Sequence, residues 1–226
     1  MPDHALKITT PLIADQWENL LKDHPDRHLV QYILRGIREG FRIGFCGEHK
    51  CKRANGNMIS AIRNPQPVAD FLQTEVKAGR VVGPLLDMPN VQISRFGVIP
   101  KQGQPRKWRL ILDLSSPHNL SVNDGVAPDL CSMRYATVDN TVEKAFILGV
   151  DSLLAKVDIE HAYRNVPIHP GDRRLLGMMW KGDLYVDTVL PFGSRSAPPK
   201  IFSAIADTVG MDRSASRSFS THPLSG

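Results

Sequence analysis

Two β-rich runs set around a basic turn constrain this chain more than any other feature. Val91–Pro100 and Trp108–Leu114 are dense in β-branched and aromatic residues, which suit a pleated, half-buried surface. Between them, Lys101–Lys107 carries Gly103 and Pro105 together with the charges of Lys101, Arg106 and Lys107. This arrangement predicts an antiparallel hairpin with a cationic, exposed tip. A second hairpin is expected over Leu175–Leu190, turning at Lys181-Gly182-Asp183.

The N-terminal side has a different texture. Over residues 14–40, Trp17, Leu20 and Leu21, then Leu29, Tyr32, Ile33, Ile37 and Phe41, recur at helical spacing. They predict two short helices that stop near Gly40. Phe41–Phe45 alternates like a short strand, and the polar residues 47–65 read as a loop. Pro67 opens a third expected helix that ends near Gly79. A further helix is expected from Val138 to Leu148, and another begins at Ile201. Residues 211–226, rich in serine and poor in apolar residues, read as a disordered tail. The division is therefore a helical leader over 1–90, an α+β region over 91–210 with an antiparallel sheet backed by helices, and the tail.

At 226 residues with 42% apolar content, a sizeable core is within reach. The net charge of +5 and the pI near 9.2 lean towards a polyanionic partner. No apolar run is long enough to cross a membrane. The N-terminus has no signal-peptide pattern, so an intracellular setting, cytoplasm or nucleus, is expected. Cys46, Cys51 and Cys131 form no disulfide framework. The Cys46–Cys51 segment also lacks the ligand spacing of a structural zinc site.

One carboxylate stands apart. Lys156-Val157-Asp158-Ile159-Glu160-His161-Ala162-Tyr163 delivers Asp158 at the end of an apolar run, with a tyrosine following. From the residues alone, an aspartate in this place is more often a helix cap or turn residue than a metal ligand. Arg109 alone reads as a solvent-facing strand arginine, and Tyr163 as a core aromatic.

Order and spacing add a further reading. Gly97–Lys101 with Lys107–Asp113, then Lys156–Tyr163, then Leu190-Pro191-Phe192-Gly193-Ser194-Arg195-Ser196-Ala197-Pro198 resemble, in the right sequence, the fingers hairpin, first catalytic motif and template-and-nucleotide turn of retroelement reverse transcriptases. The Pro191–Pro198 segment looks most like the DIRS-type elements.

The resemblance implies RNA-directed DNA synthesis from deoxynucleoside triphosphates on a template-primer, with Mg²⁺ held by the Asp158 carboxylate and the Ile159 carbonyl. It implies that Arg109 donates to the triphosphate, where its planar fork suits phosphate oxygens. Lys101 or Lys107, according to loop length, would act as a phosphate-directed point charge. Tyr163 would lie under the sugar and reject a 2′-hydroxyl. Phe192 would stand near the nucleotide, and Gly193 would let backbone approach the template.

Two departures shape the expectation of activity. Pro198-Pro199-Lys200-Ile201-Phe202 is one residue longer than the family's spacing, and the sequence contains no Asp-Asp pair. The expected state is a truncated palm that is inactive alone, without thumb, connection or RNase H region. Asp183 and Asp187 do not stand in for the missing pair and read as surface charges. The rival readings are a non-catalytic nucleic-acid-binding remnant and a truncated product with no selected role.

Overall fold

A computed structural model describes residues 7–47, 56–86, 88–104, 107–127, 137–153 and 159–195. The leader begins with two helices, as the apolar spacing predicts. Helix α1 spans Ala14–Leu20 and α2 spans Arg27–Glu39. Asp26 caps α2 by accepting from the Leu29 amide at 2.9 Å, which satisfies one of the donors a helix start leaves open. The buried stripe of α2 is Val30, Ile33, Leu34 and Ile37, and Gly40 ends the helix with φ of 87°.

Phe41–Phe45 does not form the expected strand. Gly44 turns to a positive φ of 73° and breaks the extension, so only single bridges remain, Phe41 to Ile168 and Phe45 to Val126. The stretch read as a loop contains a short helix, α3 (Ile59–Arg63). Tertiary bonds hold it. The Met58 amide donates to the Phe96 carbonyl at 2.9 Å, and the Val98 amide donates to Ser60 Oγ at 3.1 Å. Helix α4 (Pro65–Lys77) opens two residues before Pro67. Both prolines fall in its first turn, where a missing N–H costs nothing.

The leader also supplies an unexpected strand, β1 (Val81–Leu85). The first expected hairpin forms, with β2 (Phe96–Pro100) antiparallel to β3 (Trp108–Leu112) and Phe96 opposite Leu112. It is shorter than the sequence suggests, because Ile93 leaves to bridge Gly177. Helix α5 (Val138–Leu148) has the expected bounds and a reciprocal capping box between Thr137 and Asn140. The second expected hairpin is β4 (Gly177–Trp180) with β5 (Asp183–Asp187), and β1 adds to it in the order β1-β5-β4.

One core joins these parts. Leu21, Val30, Ile33 and Phe41 from the leader pack with Phe96 and Leu112 of the hairpin and with Ile168, Met178 and Leu190 beyond it. The result is an α+β fold, antiparallel sheets backed by helices. Among the described residues no helix is long and apolar enough to cross a membrane. The helix expected from Ile201 and the tail 211–226 lie outside the described residues.

Candidate functional site

A cavity of about 550 Å³ opens where α4, β3, the 3₁₀ turn Ala162–Asn165 and the Pro191–Phe192 turn converge. Its outer lining includes Lys101, Arg109 and His161, and its floor includes Glu75, Arg80, Arg164 and Asp187. Four elements distant in sequence thus meet around one space.

The hairpin fixes the cations. The Lys101 amide donates to the Lys107 carbonyl at 2.8 Å, closing the neck of the β2–β3 loop. Both lysines and Arg109 are exposed. Lys101 and Arg109 line the cavity, whereas Lys107 is not among its lining residues.

The segment after Asp158 is a tight turn. His161 adopts the left-handed region with φ of 53°, and the Asn165 amide donates back to the His161 carbonyl at 3.2 Å. This brings the half-buried Tyr163 ring against Phe192, with centroids 5.3 Å apart and planes tilted by 59°. Such offset aromatic contacts hold geometry beyond what area burial supplies. Ile159 is 38% exposed. Asp158 lies outside the described residues.

The floor is a buried ion network. Arg164 donates through Nε and Nη2 to Glu75 Oε2 at 2.9 and 2.6 Å, and through Nη1 to Asp187 Oδ1 at 2.6 Å. Arg80 grips Glu75 from the other side at 2.9 and 2.6 Å. Burial pushes Asp187 up to about 6, against the opposing charge of Arg164. Burial also works to raise Glu75, but the Arg80 hydrogen bond and the Arg164 charge prevail and hold it below the usual carboxylate range. Asp187 is therefore not the surface charge its sequence context suggests. It is 3% exposed, while Asp183 is exposed.

The Pro191–Arg195 turn is held by a residue that sequence reasoning did not single out. Asn123, 5% exposed, donates to the Gly193 carbonyl at 2.9 Å and to Ser115 Oγ at 2.8 Å, and accepts from the Arg195 amide at 2.8 Å. Arg195 returns its guanidinium to the Asn123 carbonyl at 2.9 Å. Gly193 has φ of 94°, and a Cβ there would fall 2.8 Å from the Leu112 carbonyl oxygen.

Lys101, Arg109, Phe192 and, through its contact with Phe192, Tyr163 are thus brought together. His161 and Arg164 join them, and Asn123 holds the turn that carries Phe192. The signal for Arg164 was a charged residue between Tyr163 and the apolar run beginning at Val166. Asn123 sits in an Asn-Asp-Gly stretch that reads as an ordinary turn. The resemblance assigns magnesium to the Asp158 carboxylate and the Ile159 carbonyl, and Asp158 lies outside the described residues. Among the described residues no group of three or more His, Cys, Asp or Glu side chains is placed to hold a metal ion. The described residues do not complete a metal site.

No family model matches the chain, and no curated protein matches it. Solved structures do. With the selenomethionine-labelled CSH mutant of prototype foamy virus protease-reverse transcriptase the TM-score is 0.55 at 18% identity, over 93% of this chain and 27% of that one. With foamy viral protease-reverse transcriptase in complex with an RNA/DNA hybrid it is 0.51 at 16% identity, over 92% of this chain and 28% of that one. With the same kind of protein in complex with double-stranded DNA it is 0.50 at 16% identity, over 89% and 43%. At such identities the likeness is one of fold. The chain has the architecture of the fingers and palm region of a reverse transcriptase, and it spans 27–43% of the length of these proteins.

Proposed function

We propose that this chain is the fingers and first palm segment of an RNA-directed DNA polymerase of the DIRS type, and that it holds a nucleic-acid backbone and a nucleoside triphosphate at the cavity between β3, α4 and the Pro191–Gly193 turn. The supporting observation is convergence. The hairpin cations Lys101 and Arg109 and the ring of Phe192 line one space, and Tyr163 packs on Phe192. Among the described ion pairs the floor charges neutralise one another, and Lys101 and Arg109 take no part. At the opening the two cations outweigh the one exposed lining carboxylate, Asp70, which leaves a net positive charge that suits phosphate. The foamy viral complexes with RNA/DNA hybrid and double-stranded DNA make template-primer the partner to test. The 226 residues hold no Asp-Asp pair, so this chain by itself binds without extending a primer.

The test is fluorescence anisotropy with a labelled RNA/DNA hybrid over a range of salt. Affinity should fall steeply as salt rises, because neutralised phosphates release counterions. Replacing Lys101 and Arg109 together by alanine should flatten the log–log slope by about 2, roughly one per phosphate contact. Salt-independent binding, or a slope that survives the double change, would overturn the reading. Primer extension by this chain that disappears in Asp158→Ala would overturn its non-extending part.

A further inference from the structure

We propose that Arg164 is the positioning residue for the aromatic pair at this cavity: its fork clamps the segment bearing Tyr163 to the segment bearing Phe192, and so sets the room left for a sugar. The inference rests on the nucleotide-binding reading above.

The geometry is that of a clamp. Arg164 follows Tyr163 on the same 3₁₀ turn. Its guanidinium, in a residue 4% exposed, reaches Asp187 at the end of β5. The chain runs on from Asp187 through the buried Thr188–Leu190 to Phe192. Each end of the Arg164–Asp187 bridge therefore sits on a segment that carries one of the two rings. The backbone zips the same two segments, with the Leu190 amide donating to the Val166 carbonyl at 2.9 Å and Pro167 bridging Val189.

The third arm of the clamp is Glu75. It ties the turn to α4, and Arg80 holds it in place. The Arg164 guanidinium also lies 5.9 Å from the ring centre of Phe71 on the same helix. One planar group with three engaged nitrogens thus fixes three elements at once. A lysine, a point charge on a flexible stem, cannot do this.

Stability alone is a poor reason for such a network. Buried ion clusters are often no more stabilising than well-packed apolar residues of similar volume. A 3₁₀ turn also has poorer hydrogen-bond geometry than an α-helix. The network adds cross-links to α4 and β5 that the turn's own bonds do not make.

The test uses the full chain and two variants. Arg164→Lys keeps the charge and loses the fork. Arg164→Met combined with Asp187→Leu removes the bridge without leaving Asp187 as an orphaned buried acid. Thermal melts by circular dichroism establish that each is folded. Nitration by tetranitromethane, read by mass spectrometry, then reports Tyr163 against Tyr32 and Tyr185 as internal references. Binding of dATP and ATP reports the sugar preference.

In both variants Tyr163 nitration should rise while Tyr32 and Tyr185 hold their rates. The dATP-over-ATP preference should fall by about tenfold, the low end of what one substrate group is worth to discrimination in a pocket. Unchanged Tyr163 nitration in a folded Arg164→Lys chain would overturn the inference. A common rise at all three tyrosines would too, because it would reduce Arg164 to general stability. Wild-type chain that binds neither nucleotide would instead overturn the functional reading, with Tyr163 nitration still deciding the clamp.

Discussion

Asn123 reaches across 70 residues to donate its side-chain amide to the carbonyl oxygen of Gly193 at 2.9 Å. The same side chain accepts from the Arg195 amide and donates to Ser115. A buried primary amide that gives one donor and its acceptor to the Pro191–Arg195 turn, and its other donor to Ser115, ties that turn to the segment after β3. Truncation leaves the Gly193 carbonyl, the Arg195 amide and the Ser115 hydroxyl to find new partners.

Asn123→Ala should therefore cost about 2–4 kcal/mol of unfolding free energy, the range for several hydrogen bonds lost at a mostly buried site. Urea denaturation followed by tryptophan fluorescence measures it through the midpoint and slope. A loss under about 0.5 kcal/mol, the scale of an ordinary surface change, would mean that the turn holds itself.

Gly193 is the second half of that relationship. Its φ of 94° is a conformation that side chains rarely adopt, and an added Cβ would press on the Leu112 carbonyl at 2.8 Å. Gly193→Ala should cost about 2–3 kcal/mol, combining backbone strain with a clash against a hydrogen-bonded strand. The double variant with Asn123→Ala should lose less than the sum of the two single losses, because both loosen one turn. Strict additivity in a double-mutant cycle would contradict a shared structural unit.

Much of the fold was legible where the signal is local. The β2–β3 hairpin, the β4–β5 hairpin, α2 and α5 follow from periodicity and turn residues within a short window. β1 was not legible, because its partner is remote: Val81 pairs with Asp187. The helix α3 is too short to show a period and is held by bonds to β2. Asp187 reads as a surface charge because an aspartate is normally exposed. What buries it is Arg164, which returns to it from another segment. The gathering of Lys101, Arg109, Tyr163 and Phe192 came from the order of motifs, whereas Asn123 and Arg164 act through partners that only the folded chain brings near.

Helix α2 sets two effects against each other at Gly36. Helix propensity favours Gly36→Ala by about 1 kcal/mol. An alanine Cβ, however, would fall 2.0–2.3 Å from ring atoms of Phe41. That ring cannot easily retreat. Phe41 is 3% exposed, its amide donates to the Pro167 carbonyl at 2.8 Å, and its carbonyl accepts from His169 at 3.0 Å. Overpacking costs about 1–3 kcal/mol and should win. Gly36→Ala should lower the melting temperature, and Phe41→Leu in the same chain should recover part of the loss. A melting temperature raised by Gly36→Ala alone would show that the ring has room.

The floor of the cavity predicts a pH dependence whose sign separates burial from pairing. Asp187 is pushed up to about 6 from an ordinary value of 3.8, chiefly by burial. The folded chain therefore binds this proton more tightly than the unfolded chain does. The stability from this group is fully present below the ordinary value and is lost as the pH rises towards the folded one. Glu75 works in the other direction. Held below its usual range by Arg80 and Arg164, it contributes stability that is lost as the pH falls. Wild type alone would blend the two, so the measurement is a difference against Asp187→Asn, which keeps the shape and removes the titration. Across roughly pH 4 to 6.5, wild type should lose on the order of 2–4 kcal/mol relative to the variant, with no further change above about pH 7. Urea melts of both chains at matched pH values give the curve. If wild type instead gains on the variant as the pH rises through this window, ion pairing with Arg164 outweighs the cost of burying the carboxylate, and Asp187 is charged in the folded chain at all these pH values.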